Sequence, residues 1–334
     1  MKVSEIGEFG LIRLLADEIE KTGRVHPHFQ YILTGIGDDA AVWQSDSPIQ
    51  IATTDSLVQD THFDLSYAGW DDIGYKSIAI NLSDIAAMGG IPRYVLVSLV
   101  IPGKTEVEDV LDAYHGMIRI ANRFEVSIIG GNIAAAEKII ISVTAIGILN
   151  SGIVLTRSAA RPGDKIAITG YTGMSAAGLQ MMKEEQKFNP DTDKLFMKAH
   201  LQPLPRVEEG QILQELGVKA AIDISDGLIA DLSHICNASR VKGVIRQDLI
   251  PVNPLLKSCF PENVYNKFIL EGGEDYELLF TAPEDIIEQV KKKTSCPIAV
   301  IGEIADGTPG QVSISDGSTE TVIQRPSGWD HFKS

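Results

Sequence analysis

Acidic side chains are concentrated where predicted strands meet turns. They are Asp38 and Asp39 in GIGDDAAV, Asp55 in TTDSL, Asp84 in NLSDIAAMGG, Asp223 and Asp226 in IDISDG, and Glu274 and Asp275 in GGEDYEL. Hard divalent cations such as Mg²⁺ take oxygen ligands and usually share carboxylates with substrate phosphates. Asp at a helix start is also an ordinary N-cap, and for any single position capping or turn formation is the better explanation. Several such positions, each inside an apolar or glycine-rich stretch, favour a polynuclear metal site.

The IDISDG stretch indicates how part of such a site is built. Asp223 and Ser225 are two residues apart, so on a strand their side chains share one face. Asp226 then begins the predicted helix and adds a third oxygen at the same strand end.

Glycine-bearing stretches are candidates for phosphate-binding loops. GIGDDA fits G-x-G-x-x-A, but both variable positions before the alanine are aspartate and no helical pattern follows, so we reject a dinucleotide site. The sequence has no P-loop, no G-x-S-x-G and no H-E-x-x-H motif. Gly173 and Ser175 begin a predicted helix whose N–H groups suit an anion, although tight packing through Ala176, Ala177 and Gly178 explains the pattern equally well.

Two isolated side chains are weaker candidates. His62 ends TTDSLVQDTHF, where a ligand contact and an exposed imidazole are equally compatible with the pattern. Arg157 in LTRSAARPGD has a planar fork suited to phosphate, although a single arginine in a loop is most often solvated.

Predicted strands and helices alternate in both halves of the chain, and these elements must position the acidic residues. In the first half we expect helices over 69–90 and 105–124 around a buried strand at 94–102. In the second half the strand AAIDIS, 220–225, runs directly into a helix over 226–239. This alternation predicts two α/β or α+β lobes that divide near residues 150–160.

The overall charge limits the function. The 334 residues include 29 basic and 45 acidic side chains, a net charge of −16, which argues against nucleic acid or an anionic membrane as a partner. The three cysteines form no C-x-x-C pair, so neither a zinc knuckle nor a disulfide framework is expected. The first residues do not read as a signal peptide and no stretch of 18 apolar residues occurs, so a cytoplasmic location is expected.

Taken together and in order, the motifs resemble those of thiamine-monophosphate kinases from about residue 5 to residue 332. They are GIGDDAAV, TTDSLVQDTHF, GYKSIAINLSDIAAMGGIP, TRSAARPGD, SAAGL, HLQPLPR, IDISDGLIADLSHI, GGEDYELLF and GWDHF. The first and seventh are similar to elements of a wider group that includes aminoimidazole ribonucleotide synthetase, whereas GGEDYEL and GWDHF are more particular to the thiamine kinases.

The resemblance implies a two-lobed aminoimidazole ribonucleotide synthetase-like α/β (α+β) fold. Residues 1–150 would form the N-terminal lobe for ATP binding, metal binding and dimerisation, and residues 151–334 a C-terminal α/β lobe that completes the active site. The implied reaction is direct in-line transfer of the ATP γ-phosphoryl group to thiamine monophosphate, with Mg²⁺ and without a phosphoenzyme. The absence of a nucleophile motif agrees with this, because phosphoryl transfer depends mainly on positioning and charge neutralisation. A homodimer is expected.

The resemblance also assigns roles to individual residues. The implied metal ligands are Asp39, Thr53, Thr54, Asp55, Asp84, Asn132, Asp223 and Asp226, of which Asp39, Asp55, Asp84 and Asp226 are also expected to act in catalysis. The implied ATP contacts are Tyr114, Gly131, Asn132, Arg157 and Ser225. The implied thiamine monophosphate contacts are His62, Glu274 and Trp329, the last offering a stacking surface for a cationic ring.

Two positions depart from the family pattern. Asn132 in GGNIAAA occupies a position where many members have aspartate, and Met174 occupies another before SAAGL. We expect Asn132 to bind Mg²⁺ through its amide oxygen with weaker affinity, and an Asn132→Asp variant with unchanged metal dependence would count against this. Two alternatives stay open: a purine-type synthetase of the same fold, and a nucleotide-binding protein with reduced catalysis.

Overall fold

The computed structural model describes residues 1–23, 30–36, 40–45, 47–150, 152–315 and 319–323. The chain divides into two compact units. Unit 1 comprises Met1–Ile85 and Gly90–Asn150, and unit 2 comprises Ala86–Gly89 and Ser151–Ser334. Among the described residues, no helix combines the length and the apolar character needed to cross a bilayer.

Unit 1 is built around a four-stranded sheet with the strand order β3-β6-β4-β5. Strands β4 and β5 are parallel, and the other two pairings are antiparallel. The elements in chain order are α1 (Val3–Gly23), β1 (Ile32–Thr34), β2 (Val42–Trp43), β3 (Gln50–Val58), α2 (Trp70–Ala87), β4 (Ile91–Ile101), α3 (Val107–Arg123), β5 (Ser127–Ala135) and β6 (Ile140–Ile148).

The two faces of this sheet have different surroundings. One face carries fully buried apolar side chains, including Val97 and Val143. Residues that alternate with them, such as Ser98 and Ser142, are only half-buried, and Ser56 at the edge strand is exposed. Because successive strand residues point to opposite faces, the buried positions form the core of unit 1 and the alternate positions form a more open face.

Unit 2 contains a seven-stranded sheet with the order β13-β12-β9-β11-β7-β10-β8. Its helices are α4 (Met174–Lys183), α5 (Pro190–Leu201), α6 (Val207–Glu215), α7 (Leu228–Ser239), α8 (Pro254–Cys259), α9 (Glu262–Glu271) and α10 (Glu284–Lys293). Its strands are β7 (Lys165–Thr169), β8 (Ala220–Asp223), β9 (Lys242–Arg246), β10 (Leu278–Ala282), β11 (Ile298–Ala305), β12 (Val312–Ser315) and β13 (Glu320–Val322).

The strands β7, β10 and β8 are apolar along nearly their whole length because both faces of the sheet are covered. Ile166 and Ile168 belong to one hydrophobic cluster, whereas Ala167 between them belongs to a second. The same alternation holds in β10, where Leu279 and Phe280 belong to different clusters. Unit 2 therefore has a core on each face of its sheet, with β8 and the start of α7 at one edge.

Candidate functional site

In unit 1, two of the acidic motifs meet where β3 packs beside α2. The Thr53 hydroxyl donates a hydrogen bond to Asp84 Oδ2 at 2.5 Å. The backbone N–H of Asp55 donates to Asn81 Oδ1 at 3.1 Å. Asn81 is buried and donates in turn to the carbonyl of Ser77 at 2.9 Å, which fixes its amide. TTDSL and NLSDI are thus brought together, as the metal-site hypothesis requires.

The sheet register assigns the other predicted ligands of unit 1 to different faces. Asp55 in β3 pairs with Val143 in β6, Val143 pairs with Val97 in β4, and Val97 pairs with Gly131 in β5. Asp55 and Gly131 therefore belong to one row across the sheet, on the face that carries the core. A side chain at Gly131 would collide with the backbone of Val97, whose carbonyl oxygen would lie 1.9 Å from the added carbon. Glycine is therefore required at this point of the sheet.

Thr54 and Asn132 point to the opposite face from Asp55. Thr54 pairs with Thr144, and Asn132 belongs to the row of Ser98 and Ser142. The Thr54 hydroxyl donates to the Val143 carbonyl at 3.0 Å. The metal role predicted for these two side chains is not supported by their placement, since neither joins the Asp55–Asp84 group.

The remaining unit 1 candidates have contrasting environments. His62 follows β3, and its Nδ1 accepts the N–H of Val58 at 3.0 Å, which places the proton of a neutral ring on Nε2. Tyr114 is 5% exposed, and burial raises the pKa of its hydroxyl. Within unit 1, Tyr114 is therefore a core residue of α3, and nothing in its surroundings supports the predicted ATP contact.

In unit 2, Asp223 is the last residue of β8 and is 3% exposed. Ser225 and Asp226 follow in the turn to α7 and are half-buried. Gly227 has φ 121°, and a side chain there would meet the Glu271 carbonyl oxygen at 2.8 Å. The three residues of the predicted cluster therefore follow one another around the end of β8, on a turn whose last residue must be glycine.

GGEDYEL lies directly against this turn. The N–H groups of Glu274 and Tyr276 donate to the carbonyls of Ser225 and Ile224 at 2.8 and 2.9 Å. Ile224 returns a hydrogen bond to the carbonyl of Glu277 at 2.8 Å. Glu274 and Tyr276 have φ values of 63° and 52°, a left-handed backbone that non-glycine residues adopt at a cost. Backbone strain is thus concentrated where the predicted substrate contact lies beside the predicted metal ligands.

The Glu274 carboxylate is held by a buried histidine. Glu274 Oε2 lies 3.4 Å from His200 Nδ1, and its side chain is 27% exposed. His200 Nδ1 lies 3.0 Å from the Ser175 hydroxyl. The HLQPLPR, SAAGL and GGEDYEL motifs therefore meet at one point, with the glutamate as the accessible member.

The helix end at Gly173 and Ser175 is already occupied by a carboxyl group of the chain itself. Asp275 accepts the N–H groups of Gly173 and Ser175 at 2.6 and 3.1 Å. Burial raises the pKa of Asp275 to about 8, against the opposing effect of these hydrogen bonds. Of the two explanations left open for this helix end, an external anion is not supported, because Asp275 accepts these N–H groups.

Asp231 occupies the start of α7 in the same way. Its Oδ2 accepts three backbone N–H groups, those of Ser225, Asp226 and Gly227, each at 3.1 Å. Burial, followed by the nearby charges of Asp223 and Asp226, raises the pKa of Asp231 well above its usual range. Ligand-type atoms of Asp226, Asp231 and His234 all lie within 4.8 Å of one another.

The remaining predicted residues divide into two groups. Arg157 is exposed, and its carbonyl accepts the Ser239 hydroxyl at 2.9 Å. Asp39 and Trp329 lie outside the described residues. The sequence-based reasoning missed Asn81, His200 and Asp231. Asn81 lies three residues before Asp84, so helical spacing was an available signal for it.

Comparison with known proteins matches both halves of the chain. Residues 37–149 match the family model "AIR synthase related protein, N-terminal domain", and residues 161–315 match "AIR synthase related protein, C-terminal domain". These matches confirm the predicted two-lobed aminoimidazole ribonucleotide synthetase-like α/β fold.

Individual relatives are similar over nearly the whole chain. Thiamine-monophosphate kinase of Bacillus subtilis is 36% identical over 328 residues, covering 95% of this chain and 100% of the relative. The crystal structure of thiamine-monophosphate kinase from Stenotrophomonas maltophilia is 32% identical with a TM-score of 0.82, covering 91% of this chain and 96% of that one. A structure described as "AaThiL complexed with AMPPCP and TMP" is 33% identical with a TM-score of 0.76 and covers 99% of both chains.

Proposed function

The chain belongs to the thiamine-monophosphate kinase family, and from this premise we propose that it transfers the γ-phosphoryl group of ATP to thiamine monophosphate. The products are thiamine diphosphate and ADP. The relative complexed with AMPPCP, an ATP analogue, and TMP supports both substrates, since this chain is similar to it over its full length. The carrying observation in this chain is the hydrogen-bonded pairing of Glu274 with the turn that bears Asp223 and Asp226.

We propose Mg²⁺ as the metal, on the chemistry of the donors. In unit 2, Asp223 and Asp231 are both almost fully buried, and Asp231 is close enough to Asp223 and Asp226 for their charges to raise its pKa. Buried carboxylates that repel one another are costly unless cations compensate them. An all-oxygen set of this kind fits a hard divalent cation. When bound, Mg²⁺ would neutralise phosphate charge.

Each unit carries its own pair of proposed metal-binding residues. They are Asp55 and Asp84 in unit 1, and Asp223 and Asp226 in unit 2. Thr53 orders Asp84 through the 2.5 Å hydrogen bond to its carboxylate. Asp39 belongs to the GIGDDAAV motif and keeps its proposed role as a ligand, although it lies outside the described residues.

The remaining residues bind and orient the two substrates. Glu274, restrained by His200, presents a carboxylate suited to the positive charge of the thiazolium ring. Ser225, Gly131 and Arg157 are proposed to contact ATP. His62 and Trp329 are proposed to contact thiamine monophosphate. The transfer is direct, because the phosphate of one substrate attacks the γ-phosphorus of the other and no side chain needs to carry the group.

We also propose a homodimer formed through unit 1. The open face of its sheet carries small hydroxyl side chains, including Ser56, which lies 2.7 Å from Ser142 across the strands. Small residues allow close packing of a second sheet, and isologous pairing is the commonest way in which soluble proteins form dimers. Light scattering after size exclusion tests this. A mass near twice 36.2 kDa is expected, whereas a mass near 36.2 kDa contradicts the dimer.

The location and other partners follow from charge. A net charge of −16 disfavours binding to nucleic acid or to an anionic membrane, so we propose a cytoplasmic enzyme with small-molecule substrates. A salt-dependent shift of the protein with DNA in a mobility assay at low ionic strength would contradict this.

An acceptor panel tests the proposed reaction. ADP release is measured with ATP and Mg²⁺ against thiamine monophosphate, aminoimidazole precursors and selenide. Release with thiamine monophosphate alone supports the kinase. Release with an aminoimidazole precursor instead supports a purine-type synthetase, and tight ATP binding without turnover on any acceptor supports a nucleotide-binding protein with reduced catalysis.

A further inference from the structure

Asp231 is an acidic residue whose hydrogen bonds reach beyond its own helix. It lies in the first turn of α7 and is 1% exposed. Its Oδ2 accepts the N–H groups of Ser225, Asp226 and Gly227, and the first two of these residues precede the helix. Successive N–H groups that converge on one point form an anion-binding nest. In this chain the nest encloses a side chain of the protein itself.

The position is electrostatically unfavourable for folding alone. Asp231 is buried, ligand-type atoms of Asp226 and Asp231 lie within 4.8 Å of each other, and the charge of Asp223 also acts on the Asp231 carboxyl group. The three N–H donors offset part of the cost of burial. An apolar residue would avoid the repulsion, but it would leave three N–H groups without this acceptor. Asp231 therefore stabilises one conformation of the turn, at a higher electrostatic cost than an apolar side chain would have.

An ordinary N-cap has a narrower effect. Asn189 caps α5 by accepting one N–H group, that of Thr192, at 3.0 Å. Asp231 instead holds every N–H from Ser225 to Gly227, the segment that carries Asp226 and directly follows Ile224 and Asp223. The same turn requires glycine at position 227, where φ is 121° and an added Cβ would lie 2.8 Å from the Glu271 carbonyl oxygen.

We propose that Asp231 is a positioning residue for metal binding: it fixes the backbone from Ser225 to Gly227 so that the carboxylates of Asp223 and Asp226 keep the orientation that a divalent cation requires. This inference rests on the proposed metal role of Asp223 and Asp226. Asp231 itself is not assigned as a ligand, because its Oδ2 is directed to the three backbone N–H groups.

Direct binding of Mn²⁺, followed by electron paramagnetic resonance, tests the inference without relying on activity. Asp231→Asn keeps the shape of the side chain but replaces the carboxyl group that accepts the three N–H groups with an amide, a weaker acceptor that cannot become charged. We expect its Mn²⁺ affinity to fall by roughly 10- to 100-fold, the range found when outer-shell partners of metal ligands are changed. The control is Asn189→Ala, which removes a helix cap and should lower the melting temperature with Mn²⁺ affinity unchanged.

Each outcome bears on the inference. A folded Asp231→Asn protein with wild-type Mn²⁺ affinity overturns it, as does an equal loss of affinity in Asn189→Ala. If Asp231→Asn does not fold, Asp231→Glu is measured instead, because it keeps the charge and displaces the carboxylate. Weakened Mn²⁺ binding in Asp231→Glu supports the inference, and wild-type affinity overturns it.

A further variant separates this inference from the proposed function. If Asp223→Asn leaves Mn²⁺ binding unchanged, the metal assignment is wrong and the role of Asp231 falls with it. If Asp223→Asn weakens binding while Asp231→Asn does not, the metal assignment stands and the role of Asp231 alone is rejected.

Discussion

Glu274 combines a strained backbone with a carboxylate that a buried histidine holds in place. Its φ is 63°, and its Oε2 is 3.4 Å from His200 Nδ1. Residues with sparsely populated backbone angles persist only where the surrounding contacts fix their conformation. Such residues are common at ligand sites. The contact proposed between Glu274 and the cationic ring of thiamine monophosphate is expected to depend on the charge of this side chain.

Replacing Glu274 with Gln should raise KM for thiamine monophosphate by roughly 10-fold, because a charge-assisted contact is lost. The KM for ATP should change little. Steady-state kinetics with each substrate varied in turn measures both. Glu185→Gln is the matched control, since Glu185 is exposed and also has a positive φ, 53°. An unchanged KM for thiamine monophosphate in Glu274→Gln would remove Glu274 from the substrate site.

Asp275 makes stability depend on pH in a specific direction. Burial raises its pKa in the folded state to about 8, from the ordinary value of 3.8. The folded protein therefore holds a proton that the unfolded chain has lost, so this stabilising contribution is full below about pH 4 and is lost as pH rises through about 8.

We expect the free energy of unfolding to fall more steeply between pH 5 and pH 8 in the wild type than in Asp275→Asn. The difference in slope is at most about 1.4 kcal/mol per pH unit. Urea denaturation at several pH values measures it. Parallel pH profiles for the two proteins would show that Asp275 is ionised in the folded state across this range.

At the residue scale, the positions of the acidic side chains were predictable and their partners were not. Strand alternation and turn residues locate Asp55, Asp84 and Asp223 in the sequence. The bond from Thr53 to Asp84 spans 31 positions and depends on how α2 packs beside β3. Asp231 resembles any acidic residue in a first helical turn, where it would ordinarily only complement the helix dipole.

At the scale of elements, a buried ion pair joins the start of α6 to the sheet of unit 2. Arg206 forms two hydrogen bonds with the Glu277 carboxylate, and the Thr169 hydroxyl donates to Glu277 Oε2 at 2.5 Å. Glu277 is 7% exposed and directly precedes β10. Removing one partner of such a pair leaves an uncompensated buried charge.

Arg206→Met should therefore lower the free energy of unfolding by about 3 kcal/mol or more. The double variant Arg206→Met with Glu277→Gln should recover part of this loss, because the buried carboxylate is removed as well. Thermal and chemical denaturation of the single and double variants form a mutant cycle. If the double variant loses more free energy of unfolding than the two single variants lose together, the account of this pair is contradicted.

Periodicity predicts the long elements and misses short ones. The helical pattern in α3 and the apolar runs of β7, β8 and β10 are strong because burial imposes them. No helix was predicted at α5, α8 or α9. Both α5 and α8 begin with Asn followed by Pro, and Asn189 and Asn253 cap them, so the start signals were present without a long periodic stretch.

At the scale of the whole molecule, alternation of strands and helices predicts two α/β lobes, and the two family matches confirm that fold. The order of the seven strands in unit 2 was not predictable from one sequence. Neighbours such as β9 and β11 are far apart in the chain, and their pairing depends on which faces the helices cover. The family resemblance supplied the function because its motifs extend along the full chain.

The central claim is that Asp55 in unit 1 and Asp223 in unit 2 are each required for the Mg²⁺-dependent transfer. The most direct measurement is the initial rate of thiamine diphosphate formation against Mg²⁺ concentration for the wild type, Asp55→Asn and Asp223→Asn. We predict that each variant loses roughly 100-fold in rate, the size associated with lost stabilisation of transition-state charge, and needs more Mg²⁺ for half-maximal rate. A wild-type rate and Mg²⁺ dependence in either variant would contradict the claim.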